Sequence, residues 1–389
     1  MLPGLTGATR VSAAAPAGGS IAPWQLAASS ALTTAVLSVV GATAPELRTA
    51  LGVGTAALTL AWTGQMLGAL AGSWIAGRAH HPLLEISPLA VLAAAALLGA
   101  AFAPSLALLV AAMGVAGLGA MAANAGSQAE TMRRAGPLRA QALSQFHVWG
   151  GAGAAVFPSV VAALLAAGVP WRGAFLLIVI GFLAYAWINR RLHVVPSPRD
   201  AVTPPPRIAP RGRWAIAVAA VGGGLQMTFP LYLASLVVDD FGVSSATGSA
   251  TIGVYACGVL LARAGGTALL PRVAVGGQLW VSCASLFTGY GLLALADGVP
   301  VLMSAAFLTG LGVGQLLPLG MARSAREIGD DRYATGVVFA FNSALQLAVP
   351  GAVALLLAFT DLRTALLCTA PLAVVIALGV WRSRAPARA

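Results

Sequence analysis

The sequence predicts an all-α integral membrane protein, with twelve transmembrane helices arranged as two six-helix bundles related by pseudo-symmetry. Three observations support this fold class. The chain of 389 residues is 59% hydrophobic and only 8% charged, landmarks recur at a fixed interval along it, and the arginines fall almost entirely between alternate apolar segments. A chain of this composition has too little polar surface to be soluble in water, so a lipid bilayer is its predicted surroundings.

The net charge and the positions of the cysteines were considered as signals of a nucleic-acid partner or a cofactor, and neither is predicted. Mean hydropathy is +0.87, and the net charge of +11 comes entirely from arginine. A nucleic-acid-binding protein concentrates basic residues on a solvated face, usually within a recognisable module; the sequence shows no such module, and nucleic acid is not predicted as a partner. Cys257, Cys283 and Cys368 lie in apolar stretches without disulfide or metal spacing, so no metal and no other cofactor is predicted.

Glycine and proline carry an internal repeat. Gly117 and Gly310 begin the same Gly-Leu-Gly sequence 193 residues apart, and Pro158 and Pro350 are 192 residues apart. Duplicated hydrophobic halves are a common architecture of secondary transporters. Further landmarks at a similar interval are Gly52 with Gly242, and Gly68 with Gly258.

Twelve segments come close to the length of about 20 apolar residues that crosses the hydrocarbon core of a bilayer. Within hydrocarbon every backbone polar group needs an internal partner, so these segments are predicted to be helices. In chain order they run near residues 24–43, 55–77, 88–103, 105–126, 144–168, 173–188, 214–237, 245–265, 276–296, 300–322, 335–359 and 363–381.

The distribution of arginine predicts the topology. With a cytoplasmic N-terminus, 19 arginines lie inside and only Arg48, Arg172 and Arg363 lie outside. Because an arginine excess marks the cytoplasmic side, both termini are predicted to be cytoplasmic, in a multi-pass protein of the cytoplasmic (plasma or inner) membrane. The predicted divisions are a flexible cytoplasmic tail (1–23), an N-terminal bundle (24–188), a basic, proline-rich cytoplasmic linker (189–213), a C-terminal bundle (214–381) and a cytoplasmic tail (382–389).

Twelve helices in two related halves, a basic linker after the sixth helix, and the sequence Trp-Arg-Gly-Ala-Phe at 171–175 resemble the major facilitator superfamily (MFS) of transporters. The resemblance covers residues 24 to 381 and implies the MFS fold. Some motifs depart from the superfamily pattern. The loop after the second helix keeps Arg78 but lacks the usual Asp, and Met113 stands where an Arg is common in the fourth helix. The antiporter-type Gly-x-x-x-Gly-Pro motif has Phe157 in place of its second Gly.

A weaker likeness is to fucose-permease-like members of the superfamily. It rests on the sequence Leu-Ser-Gln-Phe-His-Val-Trp-Gly at 143–150 and on the Gly-Leu-Gly-Val-Gly-Gln-Leu-Leu-Pro sequence at 310–318. Members of that group couple sugar to protons through intramembrane carboxylates. None of the eleven acidic residues lies near the middle of a predicted span, and Gln226 stands where an acidic residue would suit coupling. The chain therefore departs from the pattern that sugar–proton symport needs.

His147 is the candidate proton-coupling residue. Placing an ionisable group inside hydrocarbon costs free energy, so such a group suggests a function. Histidine can change charge near neutral pH. By three- and four-residue spacing, His147 shares a helix face with Gly151 and Pro158. The repeat-related face of helix eleven carries Asn342 and Gln346. The alternative is that His147 only bonds a neighbouring helix or reaches the headgroups.

Further polar and aromatic residues near mid-span complete the predicted solute pathway. In lipid such side chains either join helices or line a water-filled cavity, and the MFS resemblance implies that their helices line the central cavity. A cavity of this kind suits a small neutral, zwitterionic or amphiphilic solute. Together with His147, Asn342 and Gln346, the candidates are Thr34, Trp62, Gln65, Gln226, Tyr255 and Gln315.

A cytoplasmic gate is predicted from charges at the ends of helices two, eight and ten. The MFS resemblance implies that such charges latch the outward-facing state, and two small residues would let helices approach closely during rocking. The alternative is that these arginines only set topology. The candidates are Gly68, Arg78, Gly258, Arg263, Arg323, Arg326, Asp330 and Asp331.

The predicted function is alternating-access transport, either secondary active or facilitative, by a functional monomer. The alternatives are a non-transporting sensor or scaffold of the same fold, and, within transporters, an exporter of drugs or metabolites rather than an importer of nutrients. The sole hint of an enzyme is His80-His81 with Glu85, which is better explained as a solvated loop. The chain is therefore not predicted to be an enzyme.

Overall fold

The computed structural model describes residues 22–76, 85–135, 139–192, 208–269, 273–329 and 331–383, and the described part is helical throughout its regular structure. The first half contains α1 (Pro23–Ala42), α2 (Ala44–Leu51), α3 (Thr55–Ala76), α4 (Ile86–Ala101), α5 (Leu106–Ala135), α6 (Arg139–Ala166) and α7 (Arg172–Ile188). The second half contains α8 (Pro210–Phe241), α9 (Ser245–Leu269), α10 (Val275–Leu295), α11 (Val299–Gly314), α12 (Leu316–Ile328), α13 (Asp331–Leu356), α14 (Leu362–Leu367) and α15 (Ala370–Arg382).

Nine helical segments in the described ranges are long and apolar enough to cross a membrane, and α4 and α7 are shorter apolar helices. The 22 residues of α3 fall outside these nine. The protein is thus an all-helical integral membrane protein, while the count of twelve spanning helices is not confirmed by this measure. Much of the predicted N-terminal tail, linker and C-terminal tail lies outside the described residues, although α8 already begins inside the predicted linker.

Two predicted continuous helices are broken by proline. The tenth predicted segment divides at Gln315 into α11 and α12, and the twelfth divides at Cys368 and Thr369 into α14 and α15. Proline lacks the N–H that would bond the carbonyl four residues earlier, and its ring crowds that carbonyl. Four residues before Pro318 and Pro371 are the last residues of α11 and α14, so each break falls where the missing bond predicts it.

The repeat is confirmed by backbone contacts within each half. Gly68 of α3 lies against the carbonyl of Gly114 in α5, and Gly258 of α9 lies against the carbonyl of Phe307 in α11. A Cβ at either glycine would collide with that carbonyl, so both must lack a side chain. These glycines therefore let helices approach closely within each bundle, and their role in gating stays a prediction.

The two halves meet mainly where α6 packs on α9, α3 on α13, and α1 on α8; smaller contacts join α2 and α3 to α8, and α1 to α9. Because successive spans run in opposite directions, Arg48 and Asp239 lie at one end of the bundle and Arg133, Arg134 and Arg326 lie at the other. We call these the Arg48 end and the arginine-rich end.

Candidate functional site

Three prolines expose backbone carbonyls deep in the helices. Pro230 in α8, Pro318 in α12 and Pro350 in α13 each lack an N–H, so the carbonyl four residues earlier loses its helical donor. An unbonded carbonyl inside a membrane protein costs free energy comparable to a lost hydrogen bond. Side chains from other helices bond all three: the acceptors are the carbonyls of Gln226, Gly314 and Gln346.

Gln226 lies at the middle of α8 and takes two side-chain donors from α9. The hydroxyl of Tyr255 donates to the backbone oxygen of Gln226 at 2.9 Å, and Nη2 of Arg263 donates to its side-chain Oε1 at 3.3 Å. Nε of Arg263 also donates to the freed carbonyl of Gly314 at 3.4 Å. The guanidinium is therefore held at mid-depth, between α8 and the break that separates α11 from α12.

Arg263 therefore lies inside its helix and not at the helix end, while its role in a cytoplasmic gate stays a prediction. The helix does not end near residue 265 but continues to Leu269. Side chains on a helix lean toward its N-terminus, and the N-terminus of α9 is at the Arg48 end. Arg263 consequently reaches back toward the middle of the protein instead of out to the arginine-rich end.

Trp62 and Gln346 meet across the boundary between the halves. The indole Nε1 of Trp62 in α3 donates to the carbonyl of Gln346 in α13 at 3.4 Å. Beside them a cavity of about 40 Å³ opens between α3, α5 and α13. Its lining residues are Met66, Ala69, Leu70, Ser73, Met121, Ser343 and Gln346.

His147 of α6 is exposed and lies beside α5. Its Nε2 is 3.5 Å from Nε2 of Gln128, and its ring meets Phe146 edge-on. One turn further along, Gly151 lies 4.0 Å from Nη1 of Arg263, measured from the position that a Cβ would take. His147 and Arg263 therefore approach each other from opposite halves, and a protonated His147 would be repelled by the guanidinium.

Several predicted pathway residues instead join helices inside one half. Thr34 donates to the carbonyl of Gly150 at 2.9 Å, linking α1 to α6. The amide of Gln65 donates to Val36 at 2.8 Å, that of Gln315 donates to Ala262, and Asn342 lies against Gly223 of α8. Of these, Gln65, Gln315 and Asn342 are buried. They are packing contacts in this conformation. Trp62 and Gln346 bond each other across the boundary and His147 lies near it, while Tyr255 and Gln226 bond each other within the second half.

The Arg48 end is closed by contacts between the halves. The two guanidinium nitrogens of Arg48 donate to the two carboxylate oxygens of Asp239 at 2.5 and 2.6 Å. The hydroxyl of Ser249 donates to the carbonyl of Ala42, and Gly41 lies directly against the carbonyl of Pro230, with no room for a Cβ. Backbone meets backbone here, so no solute passes this point.

A buried hydroxyl pair continues this closure toward mid-depth. The hydroxyls of Thr59 in α3 and Tyr232 in α8 are 2.8 Å apart, and Tyr232 donates to the carbonyl of Pro350 at 2.7 Å. Since the hydroxyl of Tyr232 donates its hydrogen bond to the carbonyl of Pro350, the hydroxyl of Thr59 must be the donor in the bond between Thr59 and Tyr232. The network connects three helices from both halves.

The predicted cytoplasmic gate is described only in part. Arg78 and Asp330, like His80 and His81, lie outside the described residues, as does the side chain of Asp331. Arg323 is half-buried and Arg326 is exposed, both in α12. In the described part of the chain, the halves are joined by the Arg48–Asp239 ion pair, which lies at the end opposite to this predicted gate.

Sequence reasoning missed two charged groups. Glu130 of α5 is buried and accepts from both Arg133 and Arg134, at 2.5 to 2.7 Å; its spacing of three and four residues from two arginines was the available signal. Arg48 and Asp239 lie four and three residues before the paired landmarks Gly52 and Gly242. A repeat-based comparison of charges would have paired them.

The protein has two helical bundles, is closed at one end, and holds polar groups at mid-depth between its halves. This geometry is that of a membrane transporter. The model of the Major Facilitator Superfamily matches residues 26–332, and the chain belongs to that family. No curated protein matches the sequence significantly.

Solved structures of transporters share the fold over nearly the whole chain. A bacterial homologue of the human lysosomal transporter Spinster, in an inward-facing and occupied conformation, has a TM-score of 0.67 at 13% identity, covering 94% of this chain and 98% of its own. The nucleoside transporter NupG has a TM-score of 0.73 at 12% identity, with 93% and 100% covered. A D-xylose–proton symporter has 0.68 at 13%, with 92% and 96% covered. At these identities the likeness shows the fold alone.

Proposed function

We propose that this protein moves a small neutral, zwitterionic or amphiphilic solute across the cytoplasmic membrane by alternating access. One observation carries the proposal: the halves are sealed against each other from the Arg48 end to mid-depth, while Gly151, one turn from His147, lies beside Arg263 across the boundary just beyond the seal. Such a site is reached from one side at a time if the halves rock about it, as in other transporters built from repeats.

The orientation follows from the charges. The arginine-rich end is proposed to face the cytoplasm, with both chain termini there. The sealed Arg48 end then faces outward, and this conformation receives or releases solute on the cytoplasmic side. The proposed functional unit is the monomer, because both halves of the boundary belong to one chain.

Proton coupling is proposed to act through His147. The residue is exposed at the boundary and belongs to the half opposite Arg263. A histidine there can take up a proton in one conformation and lose it in another as its surroundings change. Without coupling, the same cycle would be facilitative.

Transport by purified protein in liposomes tests the proposal. Radiolabelled or fluorescent solutes drawn from nutrients, metabolites and drugs would be offered to vesicles at two internal pH values, with empty vesicles as reference. At least one solute is expected to cross faster with the protein than without it, and Gly41→Leu, which cannot seal, serves as a control for leak. If no solute in a broad panel crosses faster than in empty vesicles, the sensor or scaffold alternative gains support.

The direction of transport has its own measurement. Vesicles loaded with the transported solute and given an inward or an outward proton gradient distinguish import from export. An exporter accumulates solute against its gradient when protons move in the opposite direction, and an importer does so when they move together.

A further inference from the structure

The cavity beside Trp62 begins where the seal from the Arg48 end stops. On α3, Thr59 and Trp62 bond residues of the second half, and residues of the following turns, between 66 and 73, line the cavity over about 10 Å. On α13, Ser343 and Gln346 line it from the second half, near the middle of their helix. The cavity therefore lies between the halves at mid-depth, on the arginine-rich side of the seal.

Two polar side chains at this cavity have no partner within the described part of the chain: the hydroxyl of Ser343 and the side-chain amide of Gln346. The bond that Gln346 makes to Trp62 uses its backbone carbonyl and leaves the amide unused. By contrast, the hydroxyl of Ser73 donates to the carbonyl of Ala69 at 3.0 Å. Ser343 and Gln346 are half-buried, so a ligand that bonds them would remove the cost of leaving them unpaired.

The rest of the lining is apolar and adaptable. Met66 and Met121 face the cavity together with Ala69 and Leu70, and none of the lining residues is charged. Methionine side chains are unbranched and flexible, so they adjust to hydrocarbon groups of different shape. A charged group placed here would be buried without an opposite charge, which is costly. The lining therefore favours an uncharged ligand.

The volume of the cavity limits what enters it. It measures about 40 Å³, and a single water molecule needs at least about 10 to 15 Å³. Roughly three non-hydrogen atoms fit by that comparison. This is the size of a terminal hydroxymethyl or carboxamide group, so the remainder of a solute would lie outside the cavity.

We infer that Ser343 and Gln346 form a subsite for an uncharged terminal group of the transported solute, a hydroxyl or a primary carboxamide, so that the solute is a neutral alcohol or amide on an apolar skeleton. A serine hydroxyl and a glutamine amide each donate and accept hydrogen bonds, which matches a terminal group that does both. Met66 and Met121 would contact the adjoining hydrocarbon. The inference rests on the proposed transport function and narrows its solute class.

Thermal stabilisation by matched pairs of probes tests the inference on the purified full-length protein. Each neutral probe is compared with a charged probe of the same skeleton: benzamide with benzoate, benzyl alcohol with benzylamine, pentanamide with pentanoate, and pentan-1-ol with pentylamine. At least one neutral probe is expected to raise the melting temperature in a saturable way. Its charged counterpart should bind at least tenfold more weakly, because the cavity offers no opposite charge.

Substitutions at the two polar residues locate the binding. Ser343→Ala should weaken binding of the neutral probe at least threefold, and Gln346→Leu at least threefold, because each removes a hydrogen-bonding group. Ser304→Ala, at an exposed serine of α11, is the matched control and should bind as the unmodified protein does. Gln346→Glu adds a negative charge at the cavity, so it should shift the preference from benzyl alcohol toward benzylamine at least tenfold.

Ser343→Ala keeps the test decisive if variants of Gln346 fold poorly. Its hydroxyl bonds no described residue, so the melting temperature without a probe should stay unchanged while the affinity falls. Equal binding of neutral and charged probes, unchanged neutral binding in Ser343→Ala, or no stabilisation by any neutral probe overturns the inference. Transport of a charged solute in liposomes without binding of neutral probes would overturn the subsite and leave the transporter intact. Binding of neutral probes without transport of any solute would leave the subsite and overturn the transport function.

Discussion

Arg48 and Asp239 form a two-pronged ion pair across the boundary between the halves, with Nη2 to Oδ1 at 2.5 Å and Nη1 to Oδ2 at 2.6 Å. The pair is partly solvated, with 21% and 37% of the side-chain surfaces exposed. Exposed ion pairs contribute about 0.2 to 1 kcal/mol of stability, so this one favours the closed state of the Arg48 end only weakly.

Asp239→Asn is expected to shift the protein toward opening at the Arg48 end by about two- to fivefold, the factor that corresponds to about 0.5 to 1 kcal/mol. The measurement is maleimide labelling of Ser249→Cys, which is buried in the closed state, in a variant whose three native cysteines are replaced. The double variant Arg48→Asp with Asp239→Arg should restore slow labelling. Unchanged labelling in Asp239→Asn would show that the ion pair does not affect closure.

Gly41→Ala is expected to prevent full closure of the Arg48 end. The added methyl group would collide with the carbonyl of Pro230, which belongs to the backbone and cannot rotate away. Labelling of Ser249→Cys should become fast and transport should fall at least tenfold. Gly99→Ala is the matched control, since a Cβ at Gly99 in α4 meets nothing within 4 Å; equal effects of the two substitutions would contradict the prediction.

Tyr255→Phe is expected to destabilise the protein by about 1 to 2 kcal/mol, because it leaves the carbonyl of Gln226 without its donor. Adding Pro230→Ala restores a backbone N–H four residues after Gln226 and should recover much of that loss. Thermal or denaturant unfolding of the four proteins in the cycle provides the measurement. Additive effects of the two substitutions would mean that proline and tyrosine are not linked through this carbonyl.

His147→Gln is expected to abolish the dependence of transport on an imposed pH gradient, since glutamine can keep a hydrogen bond to Gln128 but cannot take up a proton. Solute binding at a single pH should change by less than threefold. Uptake driven by a proton gradient in liposomes is the measurement. A variant that still concentrates solute in response to the gradient would remove His147 from coupling.

Asp361→Ala is expected to cost about 1 kcal/mol by removing the N-terminal cap of α14. The carboxylate accepts from the backbone N–H of Thr364 at 2.9 Å and from its hydroxyl at 2.7 Å, and the backbone bond to Thr364, the largest cause, lowers the pKa of Asp361. Because the pKa is lower in the folded state, this stabilisation is present above the unfolded pKa of about 3.9 and is lost as pH falls through the folded value. Melting temperatures at pH 7 and pH 3 would show the effect; Asp361→Asn, which keeps an acceptor, should lose less at pH 7.

The sequence predicts the fold well because a membrane allows few folds: every backbone polar group within it needs an internal hydrogen-bond partner. Composition and the glycine–proline repeat predicted two helical bundles, and the contacts at Gly68 and Gly258 confirm the repeat. The basic linker and the sequence at 171–175 added the resemblance to the MFS. The helix breaks at Gln315 and Cys368 could also have been predicted from the sequence, since a proline stands four residues after the last residue of each broken helix.

The site was predicted less well because helical position alone does not say which neighbour a side chain meets. Gln65, Gln315 and Asn342 are near mid-span, yet each packs inside one half. Arg263 was assigned to the cytoplasmic end of its helix because the helix was ended near residue 265, so the cation at mid-depth was overlooked. The direction in which side chains lean along α9 would have corrected this once the helix was extended.

The contact between Gly41 and Pro230 determines how the closed end can open or leak. A seal made of side chains can loosen gradually as rotamers change, whereas two backbones in contact are either docked or apart. The closed end should therefore conduct no stray protons or ions in this conformation, so a gradient across the membrane would not dissipate through it. Substitutions at this point should cause uncoupled leak sooner than they cause unfolding.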